Sequence, residues 1–502
     1  MRDLLKDPLW RSEDLGRPLP ESPHACSVCL PTWESVVGYE ENDPAVVGRM
    51  QAGYPRFFCH PLVQQVFELA AQDAQNGERA LVFSSQQAAE NASQFVLRGA
   101  HEGTSVFWSE FQDTPLWAVM FPRNLEKRSR LAWRFCGQGI SSRVAAAVLD
   151  GWSREQFAAA ERRGTEAQEQ IKQRLAALSA QPPGNVFLFS SGMAGVFALH
   201  RALTSIFPGR KTVQMGFPYV DVLKVQEEFG AGVHFIAGVG KRDVAKFSEI
   251  VAREPLAGVF TEVPSNPLIE SIDLEAVSQP AQRHRVPVVC DDTVATVVNA
   301  DVFRFADVVT TSLTKAFSGV GDVMAGCVIV NEASAWISEL RALLAREMAA
   351  APLFAEDAVA LETNSRDFAE RVVKMNANAE AIAELLAAHH VVERVHYPTL
   401  DDTTAYEKIR RPGGGGGMLL SFTLRDKAKT PQVFDALRVC KGPSLGANFT
   451  LACPYTLLAH YTELDWAESC GVSRHLIRLS TGLEATDDLR SRLLEALALA
   501  TH

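Results

Sequence analysis

Seven short apolar runs separated by helical patterns fill residues 136–345 and leave few folds open. The runs are Val186–Phe189, Thr212–Met215, Val233–Ala237, Gly258–Glu262, Val286–Cys290, Val308–Thr310 and Gly326–Val330. Helical patterns such as Met193–Ile206 and Leu274–His284 lie between them. Short apolar strands alternating with helices predict an α/β fold whose mostly parallel sheet is buried on both faces. Pro287 fits only near the start of its strand, where a missing N–H is tolerated. Sites on such sheets lie outside the carboxyl ends of the strands.

The flanks read differently. Residues 1–135, rich in proline and aromatics, form an expected N-terminal extension, a separate layer. After about residue 346 a long Ala/Glu-rich helix, Glu370–Ala388, precedes strands at Val391–His396, 418–424 and Leu476–Ser480 and a helix at Asp487–Ala500. This predicts a smaller α+β C-terminal domain. The expected division is 1–135, 136–372 and 373–502. Gly413–Gly417 is a run of five glycines that reads as a flexible turn feeding a strand. The segment 81–89 echoes 187–195, but only the second carries the glycine that allows close backbone approach to an anion.

Composition narrows the partners. The 502 residues carry 49 basic and 60 acidic side chains, a net charge of −11. That balance argues against nucleic acid or an anionic membrane surface as the main partner. No uninterrupted apolar stretch of about 18 residues is present, so no transmembrane helix is expected. The charged N-terminus lacks an apolar signal core, and the expected location is the cytoplasm. Nine scattered cysteines suit reduced thiols. Cys26 and Cys29 form a lone C-x-x-C, read as buried thiols rather than a metal site.

The chemistry sits at the predicted strand ends. Lys315 closes the run Thr311-Ser312-Leu313-Thr314, and Asp291-Asp292 closes a strand 24 residues earlier (315 − 291). Pyridoxal phosphate needs an amine for its aldehyde, a carboxylate for its ring nitrogen, and hydroxyl or N–H donors for its phosphate. Ser190-Ser191-Gly192-Met193 ends a strand and opens a helix, where free N–H groups suit phosphate. Ser312 and Thr314 add hydroxyls. Asp291 would be an expensive unpaired carboxylate unless it met a cation such as a pyridinium. Asn266 can donate to a ring oxygen, and Tyr219 can stack on a planar ring. A nicotinamide site is disfavoured, because Gly238-Val-Gly240 and Gly319-Val-Gly321 lack the third glycine of that fingerprint.

These elements resemble the Cys/Met-metabolism family of pyridoxal-phosphate enzymes, over about residues 165–502. The central blocks 261–267, 286–296 and 311–326 carry the likeness. The resemblance implies a type I, aspartate aminotransferase-like fold. It makes Lys315 the cofactor lysine and proton shuttle, Asp291 the ring-nitrogen partner, Asn266 the ring-oxygen partner, and Tyr219 the stacking and proton-transfer residue. Gly192, Met193, Thr293, Ser312 and Thr314 become cofactor contacts. Ser444-Leu445-Gly446 and the strand bearing Arg478 resemble substrate-binding segments, with Arg478 clamping the α-carboxylate.

The N-terminal segment resembles extended, fungal-type cystathionine γ-synthases. The family implies a Tyr-x-Arg lent to the phosphate by a neighbouring subunit, hence a homodimer or homotetramer with shared sites. Tyr54-Pro55-Arg56 matches in letters. Arg143 matches in its distance from the Gly192–Met193 turn and is favoured here. Phe449 is expected where relatives carry a glutamate that reads the distal end of the substrate, which would disfavour a distal ammonium. The expected activity is γ-replacement on an O-activated homoserine, with γ-elimination as the alternative. No metal is expected.

Overall fold

The computed structural model describes residues 2–72, 78–101, 104–400 and 403–501. Its strands form three sheets. The first holds β1 (Arg79–Phe83), β2 (Phe107–Glu110) and β3 (Trp117–Phe121), antiparallel in the order β1-β3-β2. The second and largest holds β4 (Val186–Phe189), β5 (Thr212–Met215), β6 (Val233–Ile236), β7 (Gly258–Glu262), β8 (Val288–Asp291), β9 (Val308–Ser312) and β10 (Gly326–Val330). Its order is β4-β10-β9-β8-β7-β5-β6, parallel except for β10, which runs against both neighbours.

All seven predicted runs are strands, four of them with the predicted bounds. β8 starts at Val288, so Pro287 precedes it and costs the ladder no donor; its carbonyl still accepts from Val259 N at 2.9 Å. Helices Gly192–Ile206 and Leu274–Arg283 lie on this sheet, and their buried faces join the two cores on either side of it.

The third sheet holds β11 (Val392–His396), β12 (Leu419–Leu424), β13 (Cys440–Lys441), β14 (Leu451–Cys453) and β15 (Ile477–Ser480). Its order is β11-β12-β15-β14-β13, with one parallel pair, β13–β14. Helix Phe368–Ala388 joins this sheet to the large one. Phe368, Val372 and Met375 enter the core of the large sheet, while Ala379, Ile382 and Leu386 enter that of the third. One rigid helix therefore crosses position 372 and ties the two cores together.

The N-terminal region embraces the rest in two pieces. Leu4, Leu9, Leu19 and Cys29 pack against Cys440 and Leu451. The fully buried Lys441 Nζ donates to Pro31 O at 2.8 Å and Asp435 O at 2.7 Å, fastening that piece to the third sheet. Phe95 and Phe135, farther along, pack with Phe229 on the helices flanking the large sheet. Residues 51–60 connect the two pieces, with Arg56 and His60 buried. Cys26 and Cys29 are buried free thiols, and among the described residues no side-chain cluster could hold a metal. No described helix is long and apolar enough to cross a membrane.

The five-glycine run is a tightly packed turn rather than a flexible one. A Cβ on Gly414 would lie 2.4 Å from Asn299 O, and one on Gly416 would lie 2.7 Å from the Tyr397 ring. Asn299 Oδ1 accepts from Gly415 N at 2.9 Å, and Tyr406 donates its hydroxyl to Gly415 O at 2.8 Å. Backbone approaches the protein interior here because no side chain stands between. Gly414→Ala is expected to lower stability by about 1–3 kcal/mol through overpacking, read as a lower unfolding midpoint in denaturant.

Candidate active site

The carboxyl ends of β4, β5, β7, β8 and β9 converge on one cavity. β9 ends at Ser312, and the turn after it carries Lys315 into the cavity floor. Its Nζ lies 3.2 Å from Ser444 Oγ and 4.4 Å from the centre of the Tyr54 ring. Burial pulls the Lys315 pKa down, opposed by Tyr54 and helped by Arg478 and Arg56. That favours the neutral amine, the form that attacks an aldehyde.

Asp291 ends β8 and lines the same cavity as Lys315. Its Oδ1 accepts from Thr293 N at 2.8 Å. Burial raises its pKa, while hydrogen bonds from Thr293 and Thr310 pull the other way. Among the described residues it pairs with no cation. Glu262 lies directly across the β7–β8 ladder from it. Burial, reinforced by the Asp291 charge, pushes the Glu262 carboxyl well up. Glu262 Oε1 accepts from Tyr219 N at 2.5 Å and so fixes the turn that presents Tyr219.

The helix that follows β4 supplies a different chemistry. Ser191 caps it, accepting from Ala194 N at 3.0 Å and donating to Gly137 O at 2.9 Å. The first N–H groups of a helix have no internal acceptor, which leaves those of Gly192 and Met193 available to an anion. A Cβ on Gly192 would come within 2.9 Å of Ser312 Cβ, so glycine is what lets helix and β9 meet at this cradle. Thr293 Oγ1 accepts from Ser312 N at 2.9 Å and braces the cradle from β8. Thr314 lines the cavity while its hydroxyl exchanges hydrogen bonds with Ala325. The earlier echo, 81–89, is also a strand followed by a Ser-capped helix, but Ser85 donates to Ala350 O and the segment does not reach the cavity.

Arg478 comes from β15 of the third sheet. It is buried, donating to Asn266 Oδ1 at 3.1 Å and to the carbonyls of Pro443 and Ser444 at 3.0 and 2.9 Å. These bonds aim a guanidinium into the cavity opposite the large sheet. Tyr455 stacks on it at 4.9 Å, and the buried Tyr455 hydroxyl has no hydrogen-bond partner among the described residues.

Three expected site residues do not line the cavity: Ser444 meets it only through its hydroxyl on Lys315 Nζ, and Arg143 and Phe449 lie elsewhere. Arg143 donates to Asp322 O at 2.6 Å and pairs with Asp357 at 3.1 Å and the Asp322 carboxylate at 3.3 Å. The helix Ser142–Leu149 starts just before it and directs its side chain to these acids instead of to the phosphate cradle. Phe449 packs with Leu4, Leu9 and Leu19 under the N-terminal piece, away from the cavity. It therefore says nothing about a distal ammonium. Asp292, the second acid of the pair, accepts from the Thr311 hydroxyl, and burial raises its pKa to about 7.

Tyr54 and Arg56 are in the cavity, and they belong to the same chain as Lys315. Arg56 donates to Asp221 at 2.6 Å, to Arg134 O at 3.0 Å and to the Tyr219 hydroxyl. Asp221, fully buried, also pairs with Arg134 at 2.8 Å. Burial would raise the Tyr54 phenol, but Lys315 and Arg56 outweigh it and hold the pKa below the ordinary value.

Sequence reasoning missed Glu262, Tyr455 and Glu40, all of which line the cavity. Glu262 was findable, since it ends a strand in the same way as Asp291. Tyr455 and Glu40 arrive only through tertiary packing.

The residues present fit pyridoxal phosphate: a depressed lysine, a buried carboxylate lacking a cation, a glycine-lined anion cradle and a guanidinium for a carboxylate. Fold and site together define a type I pyridoxal-phosphate enzyme. The Cys/Met metabolism PLP-dependent enzyme family model matches residues 146–498, and the chain belongs to that family. It is 34% identical to a cystathionine gamma-synthase of Neurospora crassa, over 97% of this chain and 98% of the relative. An L-2-amino-4-chloropent-4-enoate dechlorinase/desaturase of Streptantibioticus cattleyicolor is also 34% identical, over 93% of this chain and 95% of the relative. A solved cystathionine gamma synthase from Xanthomonas oryzae, in complex with aminoacrylate and cysteine, superposes with a TM-score of 0.59. It is 25% identical and covers 68% of this chain and 87% of that one.

Proposed function

We propose that the protein catalyses pyridoxal-phosphate-dependent γ-replacement on an O-activated homoserine, with a thiol as nucleophile. The observation that carries this is the convergence of Lys315, Asp291 and Arg478 on one cavity, in a chain related end to end to a cystathionine gamma-synthase. In this reading residues 136–372 hold the cofactor, 373–502 hold the substrate, and 1–135 close the site.

When bound, the cofactor supplies a cationic ring that accepts electrons from the substrate Cα. Asp291 keeps the ring nitrogen protonated, and the cation in turn neutralises the carboxylate that burial now penalises. Gly192, Met193, Ser312 and Thr314 would hold the phosphate, with Arg56 in the same cavity as a cation for it, while Thr293 braces β8 against β9. Asn266 donates to the ring oxygen and Tyr219 stacks on the ring. Arg478 binds the substrate α-carboxylate. Ser444 orients Lys315 Nζ, which removes the α-proton and shuttles it. Tyr54, held low in pKa against Lys315, exchanges a proton with that amine. Removal of a Cβ proton would then supply the electron pair that expels the γ-oxygen as an anion; the thiol gives up its proton as its sulfur bonds to Cγ, and protons return to Cβ and then Cα.

The second reading is elimination without a nucleophile, favoured by the 34% identity to the dechlorinase/desaturase. Mass analysis of products separates the two. An O-acylated or O-phosphorylated homoserine with a thiol is expected to give a thioether. A keto acid or an alkenyl amino acid, formed at the same rate with and without thiol, would establish elimination instead.

We also propose that each chain carries a whole site, so that a homodimer or homotetramer holds independent sites. The support is that Tyr54 and Arg56 reach the cavity of their own chain. Mixed oligomers of Lys315→Ala and Arg56→Ala chains are then expected to regain no activity. Recovery on mixing would mean that the pair is exchanged between subunits. The free state of all nine cysteines is in keeping with a cytoplasmic enzyme.

A further inference from the structure

The cavity has a floor and a mouth of opposite character. Asp291, Lys315 and the phosphate cradle make the floor. At the mouth the lining is Tyr39, Phe57, Leu458 and Ala459, all partly exposed, and one acid, Glu40. Glu262 and Asp291 are the other lining carboxylates among the described residues, and both sit at the floor.

Glu40 is held there rather than passing by. It ends the helix Trp33–Glu40, whose start is fixed by Thr32 accepting from Ser35 N at 3.1 Å and by Trp33 N donating to Asp435 at 2.7 Å. The next residue, Glu41, accepts from the Tyr461 hydroxyl at 2.5 Å. The helix also packs on Tyr455–Ala459, the other wall of the mouth. The Glu40 carboxylate itself has no hydrogen bond or ion pair among the described residues. Burial raises its pKa to about 7, and Arg134, the nearest cation, is already committed to Asp221 at 2.8 Å. A half-buried carboxylate anchored on both sides and left without a cation is poised for a ligand that brings one.

We propose that Glu40 is a specificity-determining residue that binds the ammonium group of the incoming thiol, so that an amino thiol such as cysteine is the preferred nucleophile. The floor already takes the amino and carboxyl ends of the first substrate through Lys315 and Arg478. Its γ-carbon must then face the mouth, where a second ammonium would meet Glu40. This rests on the replacement reading above and adds the class of nucleophile.

The test uses the holoenzyme with an O-activated homoserine and two competing thiols, cysteine and 3-mercaptopropionate, which differ by the amino group. Wild type is expected to favour cysteine in kcat/KM. Glu40→Gln is expected to cut that preference about tenfold or more, mainly through KM for cysteine, and Glu40→Asp to restore part of it. A direct binding measurement by calorimetry, with cystathionine titrated into wild type and Glu40→Gln, should show the same loss. An unchanged preference in Glu40→Gln, with thioether still formed, would overturn the role of Glu40 and leave the replacement reading standing. A wild-type enzyme that joins neither thiol would overturn the replacement reading, and this inference with it.

Discussion

The account depends on a carboxylate lining the cavity that meets no cation among the described residues. Asp291 stands at the end of β8, held by Thr293 and raised in pKa by burial, and its charge in turn pushes the neighbouring Glu262 carboxyl up. A fold does not keep such a group for stability, because an unmet charge in low dielectric is costly. The missing partner must be a cation small enough to enter from the cavity and must also react with Lys315. A protonated pyridine aldehyde meets both conditions. Around that pair the other features acquire a reason: the open N–H groups of Gly192 and Met193, the aimed guanidinium of Arg478, and the turn that Glu262 fixes for Tyr219.

The third sheet and the N-terminal pieces turn a strand-end site into a chamber. Arg478 can face the large sheet because helix Phe368–Ala388 ties the two cores together. The N-terminal chain first packs against β13 and β14, then lines the cavity with Tyr54 and Arg56, and finally covers the flanking helices. Arg56 is buried with two neighbours to satisfy, Asp221 and Tyr219. Asp221 also accepts from Arg134, so Arg134 is engaged while the Glu40 carboxylate has no partner among the described residues.

Much of this was legible beforehand, and for a physical reason. The strands of the large sheet are short apolar runs bounded by turn residues, and the site residues follow from where those strands end. Lys315, Asp291, Asn266 and Gly192 sit where local sequence alone puts them. Arg478 was placed by the resemblance of its segment, and the structure brings it to the same cavity. The misreadings have a common cause, contacts that no local pattern encodes. Arg143 was chosen over Arg56 by its spacing along the chain, yet a helix start turns it towards Asp322 and Asp357. Phe449 was placed by counting from Ser444, while its actual neighbours are leucines more than 400 residues away (449 − 19 = 430). The glycine run reads as loose, but Asn299, Asn376 and Tyr397 crowd it.

The most direct test of the central claim is to reduce the purified protein with borohydride and map the modified peptide by mass spectrometry. The account predicts a yellow protein whose colour is lost on reduction, with a pyridoxyl phosphate group fixed to Lys315. Asp291→Asn should weaken retention of the cofactor and alter its absorbance. A colourless protein that takes up no pyridoxal phosphate, or a label fixed to another lysine, would contradict it.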